Sequence, residues 1–203
     1  MGQEMEIKGD GFRIRELREE DRFQLKKWKD FEDPLFFGYN YSDMTDRELY
    51  YWYSIKQFPF RSKYFVVLDD DNFMFAFLGM KEINRFTSSS KLGIVMEPRY
   101  VSKGYGFLIM KSFLDYYFKQ MSMKRMVLEV NEWNLRAVKL YEKLGFVFYG
   151  SYMQKFENQF IDLDSSQYDN IKDCFKIKNG NIYNRILKMS LTKKAFLGGN
   201  NEN

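Results

Sequence analysis

The sequence predicts an α/β (α+β) chain: a mixed, mostly antiparallel sheet flanked by helices. Three observations predict it. Apolar runs between residues 64 and 97 follow one another with only turn residues between them. Between residues 92 and 153 strand patterns alternate with two helical patterns. The 203 residues, 45% hydrophobic and 30% charged, suit a single globular domain spanning 1–203.

The elements follow in order. Phe12 to Leu17 alternates apolar and charged residues, as a first strand does. Glu19, Glu20 and Asp21 favour a helix start, because carboxylates there complement the helix dipole. Pro34 and Gly38 punctuate an aromatic loop containing Phe36, Phe37, Tyr39 and Tyr41. Thr45 and Glu48 form a capping box, so a second helix starts there and stops before Pro59. Strands are expected at 64–68, 73–83 (with Gly79 inside) and 91–97, separated by turns at 69–72 and 87–90. A helix runs from Gly104 to about Gln120, with Phe107, Met110, Phe113, Leu114 and Tyr117 near helical spacing. A strand at 126–130 precedes a helix from Asn134 to Leu144, which Gly145 ends, and a strand from Phe146 to Met153. The segment 156–180 is an extension with a short helix near 165–176. The turn Asn179-Gly180-Asn181 leads to a last strand at 182–191. Residues 198–203 read as a frayed tail.

Composition excludes several chemistries. There is no histidine, so His triads, His bases and His metal ligands are ruled out. With a single cysteine, Cys174, no intramolecular disulfide forms and no structural zinc site is expected. That usage fits a cytoplasmic protein. The start lacks the apolar core of a signal peptide, and Gly2 alone is poor support for myristoylation. No apolar run approaches about 18 residues, so no membrane span is expected. A net charge of +4 is too weak to argue for nucleic acid and suits an anionic cofactor equally well.

The chemistry-bearing stretch is 92–150. An apolar strand reading LGIVMEP leads into Val101-Ser102-Lys103-Gly104-Tyr105-Gly106-Phe107. Glycines let a backbone approach a ligand, and a helix start adds free N–H groups that suit a pyrophosphate. The loop is equally an ordinary helix-initiating turn. Further on come Asn134-Leu135-Arg136-Ala137 and the run LYEKLGF, which holds Tyr141.

This order resembles the acyl-CoA-binding core of the GCN5-related N-acetyltransferases (the GNAT family) over about residues 12 to 154. It leans toward the branch that acetylates ribosomal-protein N-termini, polyamines and amino sugars. The resemblance implies an acyl-CoA N-acyltransferase fold and acetyl-CoA as co-substrate, with no metal. It implies that loop amides from Val101 to Phe107, Lys103 and Tyr105 included, hold the cofactor. Gly104 and Gly106 match the family's Q/R-x-x-G-x-G/A pattern, whereas Val101 stands where Gln or Arg is usual. In the family the preceding strand splays from its neighbour at a bulge and pairs with the pantetheine arm. That gives Ile94, Val95 and above all Met96 a cofactor role. Asn134 matches a pantetheine contact and also reads as an N-cap. Tyr141 matches a tyrosine that protonates the leaving thiolate, and it also reads as core packing. Glu97 lies where many members place a catalytic carboxylate; Glu82 and Glu129 are further candidates. Each carboxylate also reads as solvated or salt-bridged.

The implied reaction is direct transfer of an acetyl group to a primary amine of a small molecule or a protein, without an acyl-enzyme. The acceptor pocket falls to Phe36–Tyr41, to Tyr50, Trp52 and Tyr53, and to residues after Tyr152. Aromatics and acids together suit a cationic or sugar-like amine. The 156–180 segment covers that site, builds a homodimer contact, or is surface padding. Two rivals stand beside the enzyme: a non-catalytic acyl-CoA-binding or regulatory protein on the same fold, and an interaction protein without CoA.

Overall fold

The computed structural model describes residues 5–57 and 60–198. The expectations for Gly2, Pro59 and the tail at 199–203 lie outside the described residues. The described residues form a nine-stranded sheet in the order β1-β2-β3-β4-β5-β6-β9-β7, with β8 also paired to β9. The strands are β1 (Glu6–Gly9), β2 (Phe12–Glu16), β3 (Lys63–Leu68), β4 (Met74–Asn84), β5 (Ser89–Met96), β6 (Arg125–Asn131), β7 (Val147–Lys155), β8 (Phe175–Lys178) and β9 (Asn181–Thr192). Every pairing is antiparallel except that of β5 with β6. The mixed, mostly antiparallel sheet expected from the sequence is therefore the observed one.

Local chemistry explains the helices. A 3-10 helix occupies Glu19–Lys27, where an α-helix would also fit the acidic start. Buried Asp21 takes two Arg15 hydrogen bonds of 2.7 Å and one from the Arg18 amide, which fixes this tight turn against β2. Helix α1 (Asp46–Ser54) begins at the capping box: the Glu48 amide donates to Thr45 Oγ1, and the Thr45 amide donates to Glu48 Oε2. Helix α2 (Tyr105–Asp115) starts at Gly104, whose φ of 87° is left-handed, and it ends in a π-helical turn over Tyr116–Gln120. Helix α3 (Leu135–Lys143) is capped by the Asn134 side chain, which accepts from the Ala137 amide at 3.2 Å. Gly145, at φ 89°, closes it.

One face of the sheet packs α2 and helix α4 (Lys193–Gly198) around Phe65, Phe113 and Phe118. The other face packs the 3-10 helix and α1 around Trp28, Leu49 and Trp52. A third cluster joins Leu35 and Trp133 to Phe156, Tyr168 and Ile171.

Three elements depart from expectation. Strand β1 and helix α4 were not foreseen. The helix expected near 165–176 is instead two 3-10 turns, Ser166–Tyr168 and Lys172–Cys174, followed by β8. These pieces are three to six residues long, too short to carry a period of their own.

Candidate active site

The site begins with a gap in the sheet. β5 and β6 pair only from Ser89↔Arg125 to Leu92↔Leu128. Beyond Leu92, β5 stays paired to β4 as far as Met96↔Ala76, while β6 stays paired to β9 as far as Asn131↔Ile186. Gly93 to Met96 therefore turn an unpaired edge toward Glu129 to Asn131, in the middle of the sheet. No bulge is recorded at the divergence; the nearest irregularity in the β4–β5 pairing lies between Lys81 and Asn84. A cleft of about 720 Å³ opens along this gap and runs onto the sheet face beneath α1. Mid-sheet polar edges cost free energy when left unmade, so the gap is a natural seat for an extended polar ligand.

At one end lies the glycine loop. Val101, Ser102, Gly104, Gly106 and Phe107 line the cleft. Ser102 has a left-handed φ of 64°. A Cβ on Gly106 would come within 3.2 Å of Leu140 Cδ2 and 3.6 Å of Met96 Sδ, so glycine there lets α2 approach α3 and β5 closely. Among the described residues the amides of Gly104, Tyr105 and Gly106 donate to no partner, as befits a first helical turn. Two expected side chains point elsewhere. Lys103 places its Nζ 5.8 Å from the Tyr100 ring centroid, and Tyr105 joins the Phe75–Tyr100 aromatic cluster. Neither side chain lines the cleft, so any role for them falls to their backbone.

Arg136 was quoted in its motif without a role. It lines the cleft, lies 5.7 Å from the Phe36 ring centroid and donates to Ser102 Oγ at 3.3 Å. The guanidinium missing at Val101 is thus supplied to the same loop from α3. Asn134 lines the cleft while capping α3 through its carbonyl oxygen, so the two readings of it hold together.

Tyr141 is 8% exposed and lines the cleft. Its ring packs 5.8 Å from Phe146. Burial first, and the neighbouring Tyr39 second, push its phenol well above the usual range, which keeps the proton on oxygen. Tyr39 is raised by burial and by Glu157, and Tyr41 by burial, Tyr39 and Glu157. Glu157 lines the same cleft.

The carboxylate expectations are revised. Glu97 is fully buried, lies off the cleft and serves as a clamp. It accepts from the Lys29 amide at 3.0 Å, the Arg99 amide at 2.7 Å and Arg99 Nε at 2.6 Å, which fills three of its roughly four acceptor sites. It ties the end of the first 3-10 helix to β5. Glu82 points to solvent near Lys91, at 3.5 Å. Glu129 lines the cleft but is held by Lys91 at 2.5 Å and accepts from Tyr152 Oη at 3.2 Å. Cys174 sits off the cleft in the third cluster, and burial with nearby Glu132 pushes its thiol up to about 11, a poor nucleophile.

Aromatic residues form the other wall. Phe36, Tyr39, Tyr41 and Trp52 line it as expected, whereas Tyr50 and Tyr53 do not. The 156–180 segment contributes Phe156 and Glu157 and backs Leu35, Phe36 and Trp133, so it walls the cleft. The lining is not the acidic one anticipated. Lys56, Lys81, Lys91 and Lys155 face Glu129 and Glu157.

The family model described as Acetyltransferase (GNAT) domain matches residues 12–147. The spermidine N(1)-acetyltransferase of Vibrio cholerae serotype O1 is 29% identical over 115 residues, 57% of this chain and 63% of that protein. The Escherichia coli K12 spermidine N(1)-acetyltransferase is 26% identical over 132 residues, 65% of each. The chain thus spans somewhat under two thirds of the length of these curated relatives. A crystal structure of spermidine N-acetyltransferase from Vibrio cholerae in complex with CoA and spermine superposes with a TM-score of 0.69 at 21% identity, covering 93% of this chain and 99% of that one. At that identity the likeness bears on the fold. No helix among the described residues is long and apolar enough to cross a membrane.

Proposed function

The chain belongs to the GNAT acetyltransferase family, and on that premise we propose that it transfers an acetyl group from acetyl-CoA to a primary amine by direct attack. The observation that carries this reading is the mid-sheet gap. It has the unpaired edge of Gly93 to Met96 on one side, the free amides of the Gly104–Gly106 turn at one end and Tyr141 on its wall.

Acetyl-CoA supplies the thioester that is broken. The loop amides and Arg136 hold its pyrophosphate, by hydrogen bonding and by charge. The edge of β5 pairs with its amide-bearing arm, with Met96 beside the glycine loop and Gly93 toward the vertex of the gap, and Asn134 keeps its side-chain amide free to donate to that arm. The amine nitrogen forms the new bond to the carbonyl carbon, and the carbon–sulfur bond breaks. Tyr141 gives its proton to the departing sulfur, and its raised pKa keeps that proton available throughout the neutral range. Glu157, directly or through a water, takes the proton that leaves the amine. It is favoured over Glu97 because it lines the cleft beside Tyr39 and Tyr41, while Glu97 is enclosed.

Thermal unfolding with and without acetyl-CoA tests the cofactor role. At about 100 times its dissociation constant the ligand adds about 2.7 kcal/mol. No shift at millimolar acetyl-CoA would sink it. For the chemistry, Tyr141→Phe lowers kcat by about 10²-fold with CoA affinity unchanged. Full turnover of this variant at every pH would remove the general-acid assignment.

A further inference from the structure

Two lysines of the cleft have no role in the reaction above. Lys56, just past the end of α1, is 9% exposed, which is rare for an ammonium. Its Nζ donates to the Trp52 carbonyl oxygen at 3.1 Å and sits 3.9 Å from the Trp52 ring centroid. One carbonyl satisfies one of three N–H groups. Lys81, on β4, is more exposed, and its amino end lies 3.4 Å from where a Cβ on Gly93 would be. It therefore reaches over the glycine at which β5 leaves β6. Among the described residues neither lysine is bonded to a carboxylate. Lys91, beside Lys81 in the β4–β5 register, has taken Glu129 and approaches Glu82. Burial, and then Lys81, depress the basicity of Lys56; burial, and then Lys91, depress that of Lys81, against the opposing pull of Glu82 and Glu129.

The two ends of the acceptor cleft are distinct. Glu157 acts on Tyr39 and Tyr41. Tyr41 packs 6.0 Å from Phe77, and Phe77 packs 5.1 Å from Trp52 and 5.8 Å from Lys56 Nζ. A carboxylate thus stands at the Tyr39–Tyr41 end of this run of aromatic rings, and two ammonium groups with no carboxylate hydrogen bond stand at the Trp52 end, where Glu82 and Glu129 act on Lys81 from beside Lys91. A polycation such as spermidine would meet like charge at the second end. A molecule with an amine at one end and an anion at the other would be complementary to both.

We propose that the amine acceptor carries an anionic group, a carboxylate or a phosphate, held by Lys56 and Lys81 at the Trp52 end of this aromatic run, with Glu157 at the other. This rests on the acetyltransferase reading and narrows its acceptor class.

Binding to the CoA-saturated protein tests it by calorimetry, since saturation blocks the cofactor's own phosphate sites. O-phosphoethanolamine is compared with ethanolamine, β-alanine with β-alaninamide, and spermidine is added as the polycation. The anionic member of at least one pair binds tenfold or more tightly than its partner, and that pair identifies the anion. Lys81→Met, at an exposed position, and Lys56→Met each reduce the preference without changing CoA affinity. Equal binding within both pairs, tightest binding by spermidine, or an anion preference untouched by both variants overturns the proposal. Thiol release in the same mixtures separates the two readings. Anion preference without acetyl transfer to any amine would remove the enzymatic reading and leave the anion subsite standing.

Discussion

Lys56 shows how a single ammonium links packing to pH. Burial, then Lys81, hold it down to about 8 from an ordinary 10.5. Below pH 8 both folded and unfolded chains carry its proton, and the desolvation penalty is fully present. Between about 8 and 10.5 the unfolded chain holds the extra proton, so this group adds stability as pH rises. Lys56→Met removes that dependence. Urea unfolding at pH 7 and pH 9.5 is then expected to show the difference between variant and wild type moving in favour of the wild type at the higher pH. A difference that stays flat would mean Lys56 is not depressed. Residues differ in how legible they were. Tyr141, Asn134 and Gly104 sit in short local motifs and were readable. Glu157, Lys56 and Lys81 come from three distant segments, and nothing near any of them in sequence says that they share a wall. Glu97 lies off the cleft for a reason of the converse kind. Its position at a strand end is visible in sequence, but the Lys29 and Arg99 amides that occupy it are not.

At the scale of elements, legibility followed locality. The Thr45–Glu48 box and the Asn134 and Gly145 caps each act within four residues, so the start of α1 and both ends of α3 were placed nearly to the residue, while the end of α1, expected just before Pro59, came earlier at Ser54. The parting of β5 from β6 depends on strands far apart in sequence, and only the family resemblance anticipated it. Helix α2 depends on Gly104 in a specific way. A Cβ there would meet nothing within 4 Å, so crowding is not the constraint; the φ of 87° is. Gly104→Ala is therefore expected to cost about 1–2 kcal/mol by the left-handed penalty alone. It also weakens acetyl-CoA, because relieving the strain reorients the amides at the helix start. Denaturant unfolding and a CoA titration check both. Unchanged stability with weakened CoA would assign the glycine to close ligand approach instead.

The whole molecule is three apolar clusters around one interrupted sheet. The smallest, around Leu35, Trp133 and Phe156, joins the aromatic loop to the 156–180 segment and holds Phe36 and Glu157 against the cleft. The composition of 156–180 signalled an extension but not its attachment, because its partners in the aromatic loop lie more than 100 residues upstream, as in the Asn158 bond to the Pro34 carbonyl. Leu35→Ala should cost about 2–4 kcal/mol as a buried truncation. On the proposed reading it raises the KM for the amine and leaves CoA affinity alone, since the loop, β5 and α3 are untouched. A loss of CoA affinity equal to the loss of amine affinity would mean the cluster supports the entire cleft.

The parted sheet also bears on how long each copy of the protein survives. Among the described residues, the four pairs from Ser89↔Arg125 to Leu92↔Leu128 are all that stitch β1–β5 to β6–β9 within the sheet. On the proposed reading a soluble metabolite lies along the remaining length as a temporary strand. Degradation of a folded chain follows the fraction of time it stands open. The protein's lifetime then rises and falls with the supply of its own acyl donor, a coupling that needs no regulatory site because the seam in the sheet already provides it.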